Sequence, residues 1–418
     1  MRKVYLSFLG LGDYTETVYH LNGKESVKTG YVQCAEISIL GKDYFDICLF
    51  VVTPQSLKKH FDKVKEELKQ LGVTNVLPIQ INESLEPRFQ WEWFEKILYK
   101  IDRHDSLTLD MTHGYRAAPI IISAAINFLQ KAKNVRIDAV YYGAFERNRN
   151  LSPIIDMKEF YEINEWAEAV SRLVEDADAR KMADVAGRTD QKKIGELNEV
   201  VIVQTLNELT NAVRNVDINN IPDKAKKALE LIREKQKNAS PTGKMLLDLV
   251  VEKFISISSG EFYSREYDRE YFRLQLEIIR LLIDHKLYMQ AFTVMREFVG
   301  SIGLIEVKKA NMRNEKGRKQ RTKADCFINM LSYPEEKWRF GDEDFNFKKV
   351  FPFYEKLKGF HIEYSLRTFT EELVKYRNGL DHAWTQKREA YTDIEEKGEK
   401  FYQHLNQVIS ELEKNQIL

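Results

Sequence analysis

The sequence predicts an α/β domain with a mostly parallel sheet in the first half of the chain and an all-helical domain in the second. In the first half, short apolar segments of strand length alternate with amphipathic segments of helix length. This order is typical of a parallel sheet that carries helices on both faces. From about Glu162 onward, only long segments with a 3.6-residue apolar period follow one another, which indicates a domain built from helices.

The strands of the first half are short apolar runs bounded by turn residues. We predict strands at Val4–Leu9, Val76–Ile81, Leu107–Met111 and Val135–Tyr142. Two further runs, Val32–Leu40 and Tyr44–Val52, flank Gly41-Lys42 and have the pattern of a β-hairpin. Amphipathic helices are predicted between the strands, at Ser56–Leu71, around Phe89–Ile101 and at Tyr115–Lys133.

The second half contains clear helical periods, for example in Tyr271–Leu287, Met289–Ile305 and Phe369–Tyr376. With 418 residues the chain is long enough for two or three domains with large cores. We expect a ligand-binding domain in residues 1–160, a helical connector in residues 161–200 and a helical domain in residues 201–418.

The composition limits the possible partners and compartments. Lys+Arg and Asp+Glu both number 64, so no net field attracts a polyanion, and nucleic acid would have to bind a local basic patch such as Lys308–Lys323. That segment is equally well interpreted as a solvated loop. The three widely spaced cysteines suit a reducing compartment. The longest apolar stretch, Ala117–Leu129, is too short to span a bilayer. We therefore expect a cytoplasmic protein without a membrane partner.

Four loops of the first domain follow predicted strands and share polar and glycine-rich chemistry. They are Gly10–Tyr14, Thr53–Ser56, Asp110–Arg116 and Tyr142–Glu146. Glycine lets a backbone approach a ligand closely, and helix starts favour anions. Because ligands of parallel sheets bind at the carboxyl ends of the strands, these loops predict a site for a phosphorylated or nucleotide ligand. The candidate residues are Gly10, Gly12, Asp13, Thr53, Ser56, Thr112, His113, Gly114, Arg116 and Gly143.

Two other kinds of site are not predicted. The dinucleotide fingerprint is incomplete, because Thr15 stands where the third glycine would follow Gly10 and Gly12. No H-E-x-x-H pattern or paired Cys/His spacing is present, and the histidines are scattered. We therefore expect neither a nicotinamide cofactor nor a metal.

The hexapeptide Arg377-Asn378-Gly379-Leu380-Asp381-His382 is the most informative motif of the second half. Histidine exchanges protons near neutral pH, and arginine binds phosphoryl oxygens bidentately, so the motif can act on a phosphodiester without metal. A capped or solvated helix end is an equally valid interpretation of the motif alone. The same spacing also occurs in Arg280–His285 among apolar residues, which indicates helix packing.

Taken together, these motifs resemble a known family. Phe8–Tyr14, the run Asp110-x-Thr112-His113-Gly114-Tyr115-Arg116 and Tyr142-Gly143-Ala144 are similar to the Rossmann-like CARF domain of CRISPR-associated proteins. Arg377-Asn378-x-x-x-His382 in a helical domain resembles the HEPN ribonuclease motif. The combined order is similar to the CARF–HEPN ancillary ribonucleases of type III CRISPR systems.

The resemblance implies a single-stranded RNA endoribonuclease that is switched on by a cyclic oligoadenylate, tetra- or hexa-adenylate, bound across a CARF dimer. It implies Arg377, Asn378 and His382 as catalytic residues, no cofactor, and a homodimer or higher homo-oligomer. Three alternatives remain open. They are a regulator that binds nucleic acid without cutting it, a ring nuclease that degrades the messenger, and a structural helical protein in which the R-x-x-x-x-H spacing is accidental.

Overall fold

A computed structural model describes residues 1–418 except 83, 85, 115–117, 147–150, 188–196, 261–265, 308–314, 339–344 and 386–390. The chain divides into two compact units, Met1–Ile163 and Asn164–Leu418. Among the described residues, no helix combines the length and apolarity that crossing a membrane requires.

The first unit is built on an eight-stranded sheet with the spatial order β3-β2-β8-β7-β6-β1-β4-β5. Strands β7, β6, β1, β4 and β5 are parallel to one another, and β2 is parallel to β8, whereas β8 is antiparallel to β7 and β3 is antiparallel to β2. The prediction of a mostly parallel sheet is therefore confirmed. The strands are β1 (Lys3–Phe8), β2 (Val18–Leu21), β3 (Lys24–Glu25), β4 (Ile47–Val52), β5 (Val76–Gln80), β6 (Ser106–Asp110), β7 (Arg136–Gly143) and β8 (Leu151–Asp156).

Helices cover both faces of this sheet, as expected for parallel strands. They are α1 (Val32–Leu40), α2 (Pro54–Ser56), α3 (Asp62–Gln70), α4 (Pro87–Lys100) and α5 (Ala118–Lys133), with a π-helical turn at Leu57–Phe61 between α2 and α3. Alternate residues of β1 point to opposite faces. Leu6 packs in the cluster that contains Trp93 of α4, and Tyr5 packs in the cluster that contains Ile37 of α1.

The predicted hairpin at residues 32–52 is wrong. Residues Val32–Leu40 form α1, and only Ile47–Val52 of the second predicted strand is extended. Helix α1 is buried along Val32–Ile37 and packs into two separate apolar clusters, so it lacks the one-sided pattern that reveals a surface helix. Gly41 has φ +102° and donates its N–H to the carbonyl of Ile37 at 2.9 Å. The glycine therefore ends a helix instead of turning a hairpin.

Strands β2, β3 and β8 were not predicted from the sequence, and they lie at one side of the sheet. Strand β3 has only two residues, Lys24 and Glu25, and both are exposed. At the opposite edge, β5 contains Pro78, which cannot donate a ladder hydrogen bond. Short or proline-containing strands carry weak sequence signals, which explains why β2, β3 and β8 were missed.

In the described residues the second unit is helical, as predicted. Its helices are α6 (Lys158–Asp176), in which the unit boundary falls, α7 (Arg180–Ala186), α8 (Val200–Arg214), α9 (Ile221–Gln236), α10 (Pro241–Phe254), α11 (Arg269–Asp284), α12 (Tyr288–Ile302), α13 (Glu315–Lys319), α14 (Arg321–Ser332), α15 (Phe345–Gly359), α16 (Ile362–Asp381) and α17 (Ile394–Lys414). The three helical periods chosen from the sequence lie in α11, α12 and α16.

Aromatic side chains fill the contact between α12, α16 and α17. The ring of Phe401 lies 5.4 Å from Phe292, 5.4 Å from Phe369 and 5.7 Å from Tyr376. Edge-to-face pairs of this kind add to the stabilisation from apolar burial. This packing holds the last turns of α16, where the Arg377 motif begins.

Near the end of α11, His285 is buried and neither ring nitrogen has a hydrogen-bond partner among the described residues. Burial, reinforced by the nearby Lys253 charge, lowers its pKa to about 4. The imidazole is therefore neutral in the folded protein at neutral pH, while in the unfolded chain it titrates near pH 6.5.

This difference predicts a loss of stability in mild acid. Between pH 6.5 and pH 4 the unfolded state binds the proton and the folded state does not, so stability falls as the pH falls. From pH 7 to pH 5 we expect His285 to contribute a loss of about 2 kcal/mol. Urea unfolding at both pH values should show a smaller pH dependence in His285→Leu. The exposed His104 is the control: equal pH dependence in His285→Leu and His104→Leu would contradict the prediction.

Candidate functional site

The four loops chosen from the sequence lie at one edge of the sheet. They follow β1, β4, β6 and β7, which are parallel, so their carboxyl ends meet at the same edge. Strand β1 has β4 on one side and β6 on the other, although β6 comes after β5 in the chain. The chain order therefore switches beside β1, which is where ligands of such sheets bind.

Asp110, at the end of β6, organises this edge. Its Oδ2 accepts hydrogen bonds from Ser7 Oγ at 2.6 Å and from Gln33 Nε2 at 3.0 Å. Its Oδ1 accepts from the N–H of Thr112 at 2.9 Å and from the Thr112 hydroxyl. The carboxylate is fully buried, and hydrogen bonds of this kind offset the desolvation of a buried charge.

Thr112 extends this network to the end of β7. Its Oγ1 accepts the N–H of Gly143 at 2.8 Å while it donates to Asp110. A Cβ on Gly143 would lie only 2.4 Å from Cγ2 of Val32 in α1. Two of the predicted site residues, Thr112 and Gly143, are therefore in contact, and Gly143 is required because α1 approaches β7 closely.

Three aromatic rings pack against one another at this edge, at tilted angles. The Tyr14 ring lies 4.4 Å from the ring of His113 and 4.6 Å from the ring of His60. The hydroxyl of Tyr14 accepts the N–H of Gly10 at 2.9 Å, and the hydroxyl of Tyr31 lies 3.1 Å from His60 Nδ1. The loop after β1 thus contacts the loop after β6 through the tilted rings of Tyr14 and His113.

The imidazoles of His60 and His113 each have an Nε2 atom that is buried and has no hydrogen-bond partner among the described residues. Burial lowers the pKa of His60, partly opposed by the nearby Gly12 backbone. Burial also lowers the pKa of His113, opposed by the charge of Asp110. The rings are therefore biased towards the neutral form, which offers one donor and one acceptor nitrogen.

The sequence interpretation did not select His60, Tyr31 or Tyr14 as site residues. His60 lies in the π-helical turn Leu57–Phe61, and such turns inside helices frequently occur at functional sites. No pattern in the sequence signals a π turn, because its residues have the same composition as a normal helix. For Tyr14, a signal was available, since it closes the Gly10–Tyr14 loop.

The other predicted ligand residues have different surroundings. Gly12 is exposed, and a Cβ there would meet none of the described atoms within 4 Å. Asp13 is exposed and pairs with Lys59 at 2.7 Å, which lowers the pKa of the carboxyl group. Gly114 is exposed, and Arg116 lies outside the described residues.

Thr53 and Ser56 are fully buried and cap the start of α2. The Ser56 N–H donates to Thr53 Oγ1 at 3.1 Å, and the Thr53 N–H donates to Ser56 Oγ at 2.9 Å. This is a capping box, which satisfies backbone donors at a helix start. The structure thus gives these hydroxyls a role in fixing the loop after β4.

An open cavity of about 470 Å³ lies beyond this loop, at the ends of β4 and β5. Its lining includes three amide side chains, Gln55, Gln80 and Asn82, together with Lys96 and Glu92. Lys96 is held by Glu92 at 2.5 Å and by the carbonyl of Gln80 at 2.9 Å. Amides of this type can donate to and accept from a nucleobase edge.

In the second unit, Arg377, Asn378 and His382 lie at the carboxyl end of α16. Arg377 pairs with Asp381 at 2.7 Å, and its Nε is buried without a hydrogen-bond partner among the described residues. Asn378 and His382 are exposed. One end of the motif is therefore anchored in the protein, while the histidine is open to a partner molecule.

Helix geometry limits what one copy of this motif can do. At 100° per residue, Arg377 and His382 are separated by about 140° around the helix axis. Asn378 and His382 are four residues apart and share one face, as do Arg377 and Asp381. The arginine and the histidine of one chain therefore diverge.

The second R-x-x-x-x-H segment differs in its environment. Arg280 is paired with Glu399 at 2.7 Å and with Asp284 at 2.8 Å, and His285 is buried. These contacts agree with the interpretation of this segment as helix packing. The two segments thus form a natural pair for comparison, one buried and one exposed.

The basic segment Lys308–Lys323 is described only from residue 315 onward, since 308–314 lie outside the described residues. Within the described part, Lys319 pairs with Glu315 at 2.8 Å. Arg321 binds the Glu297 carboxylate and donates to Ser301 Oγ at 2.8 Å. These two cations therefore have intramolecular partners.

Comparisons with known proteins give a partial match. No protein-family model matches the chain. It is 25% identical over 185 residues to the CRISPR-associated protein MJ1674 of Methanocaldococcus jannaschii, which covers 39% of this chain and 29% of that protein. The chain therefore matches less than a third of the length of this relative. A solved structure of Enterococcus italicus Csm6 bound to cyclic hexa-2'-fluoro-hexa-dAMP aligns with a TM-score of 0.46 and 11% identity, covering 99% of this chain and 95% of that chain.

The bridge from Asp110 through Thr112 to Gly143 predicts how the edge responds to mutation. Thr112→Val removes the hydroxyl and leaves the buried N–H of Gly143 without its acceptor, which costs about 1–3 kcal/mol. Thr112→Ser keeps the hydroxyl and should stay close to wild type. Urea unfolding of the three proteins measures the difference, and equal midpoints for the Val and Ser variants would contradict the role of the bridge.

Proposed function

We propose that the protein is a metal-independent endoribonuclease that cuts single-stranded RNA when a cyclic oligoadenylate binds its first unit. The observation that carries this proposal is the end of α16, where the exposed His382 and Asn378 follow an arginine whose buried Nε has no hydrogen-bond partner among the described residues. In this proposal, residues 1–160 sense the messenger, residues 161–200 connect, and residues 201–418 cut RNA.

The chemistry follows from the groups present. In RNA, the 2′-hydroxyl loses its proton and attacks the adjacent phosphorus, the bond from phosphorus to the 5′-oxygen breaks, and the products are a 2′,3′-cyclic phosphate and a protonated 5′-hydroxyl, so the substrate supplies its own nucleophile. His382 moves a proton between a hydroxyl and the solvent or the leaving oxygen. Arg377 stabilises the charge that builds on the phosphorane. Its guanidinium can keep the ion pair with Asp381 and still offer further N–H donors.

The divergence of Arg377 and His382 supports a site made by two copies of the chain. A two-fold axis beside the carboxyl end of α16 would place two histidines and two arginines around one cleft. One copy then supplies a proton acceptor and the other a proton donor. We therefore propose a homodimer or a higher homo-oligomer as the active form.

The edge of the sheet is the proposed messenger site. Exposed glycines, Gly12 and Gly114, allow a phosphate backbone to approach closely. The imidazoles of His60 and His113 each hold a buried nitrogen that has no hydrogen-bond partner in the part of the chain that the structure describes, and these nitrogens can pair with a base or a phosphate. The amide side chains that line the 470 Å³ cavity lie at the same edge of the sheet and can form hydrogen bonds with an adenine base. The ligand we propose is a cyclic tetra- or hexa-adenylate.

The similarity to a CRISPR-associated protein over 39% of the chain supports a place in CRISPR antiviral defence. Together with the resemblance of the motifs, it favours a ribonuclease over a purely structural helical protein. We propose the cytoplasm as the compartment, since the messenger, the RNA and the buried free thiols of Cys34, Cys48 and Cys326 all suit it.

A second candidate function rests on the Nε2 atoms of His60 and His113, for which the described residues offer no hydrogen-bond partner. A messenger bound above them would place a 2′-hydroxyl within reach of a basic nitrogen, and the site would then degrade its own activator. Incubating the protein with a cyclic oligoadenylate and following linear products by chromatography tests this. Linear products that persist in His382→Ala would assign the cleavage to the first unit.

The catalytic prediction compares the two R-x-x-x-x-H segments. His382→Ala and Arg377→Ala should each lower cleavage of a fluorescent single-stranded RNA by about 10²–10⁴-fold, because each group acts in the transition state. The assay contains EDTA and saturating cyclic oligoadenylate. The double variant should be little worse than either single variant, since groups that act in one step are not additive.

His285→Ala is the matched control for this assay. It should lose stability and keep the cleavage rate of the folded fraction, because His285 is buried in helix packing. Full activity in His382→Ala, or an equal loss in a folded His285→Ala, would contradict the assignment of the catalytic histidine.

The messenger prediction uses the open space around Gly12. A Cβ at this position would have no described atom within 4 Å, so a valine should leave the fold intact, but its methyl groups would occupy the space that a phosphate backbone needs. Gly12→Val should raise the activator concentration for half-maximal cleavage by at least about tenfold, with basal cleavage unchanged. Gly359→Val, another site with no neighbour within 4 Å, is the control. An unchanged activator response in Gly12→Val would remove this loop from the site.

A further inference from the structure

The turn after α16 is held in an unusual conformation. Ala383 has φ +48° and Trp384 has φ +59°, so two successive non-glycine residues lie in the left-handed region. L-residues adopt this region only where the surrounding contacts hold them there. The N–H of Trp384 donates to the carbonyl of Gly379 at 2.7 Å, which turns the chain back over the helix.

The indole ring of Trp384 lies directly on Gly379. A Cβ on Gly379 would be 2.2 Å from Cζ3 of the indole, so no side chain other than hydrogen fits under the ring. Gly379 lies inside α16 and does not have a positive φ, so its backbone would accept other residues. The requirement for glycine inside the Arg377–His382 motif is therefore steric, and it comes from Trp384.

A chain of aromatic contacts connects this ring to the start of the motif. Trp384 lies 5.0 Å from the ring of Tyr391, which lies 4.6 Å from the ring of Tyr376. The Tyr376 hydroxyl donates to Asp393, whose two carboxylate oxygens are 2.9 and 2.8 Å away. Tyr376 directly precedes Arg377, so the same cluster touches both ends of the motif. We call Gly379, Trp384, Tyr391, Tyr376 and Asp393 the tryptophan clasp.

The backbone of His382 is fixed on both sides by this turn. Its N–H donates to the carbonyl of Asn378 at 3.1 Å. Its carbonyl accepts from the N–H of Thr385 at 3.0 Å and from Thr385 Oγ1 at 2.7 Å. The residue itself is exposed. A rigid backbone therefore presents an open side chain, as a proton-transfer group requires.

We propose that Trp384 is a positioning residue, and that the tryptophan clasp fixes where His382 meets the RNA phosphate. This inference rests on the proposed ribonuclease function. Trp384 acts through the backbone of residues 379–385, and it neither donates a proton nor contacts the reacting atoms. Loss of the indole releases the turn, so the imidazole samples positions away from the phosphate.

The first test separates kcat from KM. In RNA cleavage with saturating activator, Trp384→Ala should lower kcat by about 10–100-fold, because displacement of a catalytic group by about 1 Å has effects of this size. KM and the activator concentration for half-maximal rate should stay within about twofold. Trp384→Phe keeps a ring over Gly379 and should recover most of kcat. Wild-type kcat in Trp384→Ala would overturn the proposal.

The steric contact gives a second, compensating test. Gly379→Ala should destabilise the protein, because its methyl group overlaps the indole. In the double variant Gly379→Ala/Trp384→Ala, the overlap is gone, so the melting temperature should return to that of Trp384→Ala while kcat stays low. Recovery of kcat along with stability would show that the clasp only stabilises the fold, and would overturn the positioning role.

Trp338 provides the matched control, because it also packs on aromatic rings in this unit, at 5.4 Å from Tyr354 and 5.9 Å from Phe347. Trp338→Ala should lower the melting temperature and keep kcat. An equal fall in kcat in both alanine variants would show a general effect of lost packing and would overturn the proposal.

A measurement that does not depend on RNA cleavage distinguishes a wrong assignment of the tryptophan clasp from a wrong assignment of ribonuclease activity. In the full-length protein labelled at histidine Cε1, the His382 resonance, assigned through His382→Ala, should shift or broaden in Trp384→Ala and stay near wild type in Trp338→Ala. An unchanged His382 resonance in Trp384→Ala overturns the clasp. Absence of cleavage in the wild type, with the resonance shift present, rejects the ribonuclease and keeps the clasp.

Discussion

The first unit depends on one buried carboxylate. Asp110 binds Ser7 on β1, Gln33 on α1 and Thr112 after β6, and Thr112 in turn binds Gly143 at the end of β7. Such a charge is tolerated inside a protein only when hydrogen bonds replace its water shell. The network therefore sets the spacing between the loops at this edge, where the rings of Tyr14, His60 and His113 also pack together. Desolvation by burial, and after it the charge of Asp110, raise the pKa of the fully buried Glu36, whose carboxylate accepts the Tyr5 hydroxyl at 2.7 Å.

Much of the architecture could be predicted from periodicity. The runs around β1 and β6 are buried on both faces because helices cover both sides, and this gives them the continuous apolar character of parallel strands. Since parallel strands end at one edge, Gly10, Thr53, Asp110 and Gly143 could be placed together without coordinates. The helices of the second unit could be predicted from the 3.6-residue period of their apolar residues.

The sequence predictions that were wrong or incomplete have physical causes. Helix α1 contacts apolar clusters on two sides and buries even Gln33 and Glu36, so Val32–Leu40 has no exposed polar face to distinguish it from a buried strand. Thr53 and Ser56 have the chemistry of ligand donors, yet their hydroxyls are used by the backbone in a capping box, and spacing alone cannot separate the two uses. His60 and Trp384 are placed by a π turn and by left-handed residues, which no local pattern encodes. The chemistry of the Arg377 motif was visible in the sequence, but the steric reason for its glycine was not.

The two edge strands of the sheet, β3 and β5, affect how the protein behaves at high concentration. A sheet with a long, flat, apolar border can recruit strands from other chains and seed fibrils. Here one border is the two-residue strand Lys24–Glu25, both charged and exposed, and the other contains Pro78, which interrupts the row of donors. Neither border offers a template for added strands. Strand pairing between copies of the first unit is therefore disfavoured at both edges, and with it the route to amyloid-like deposits.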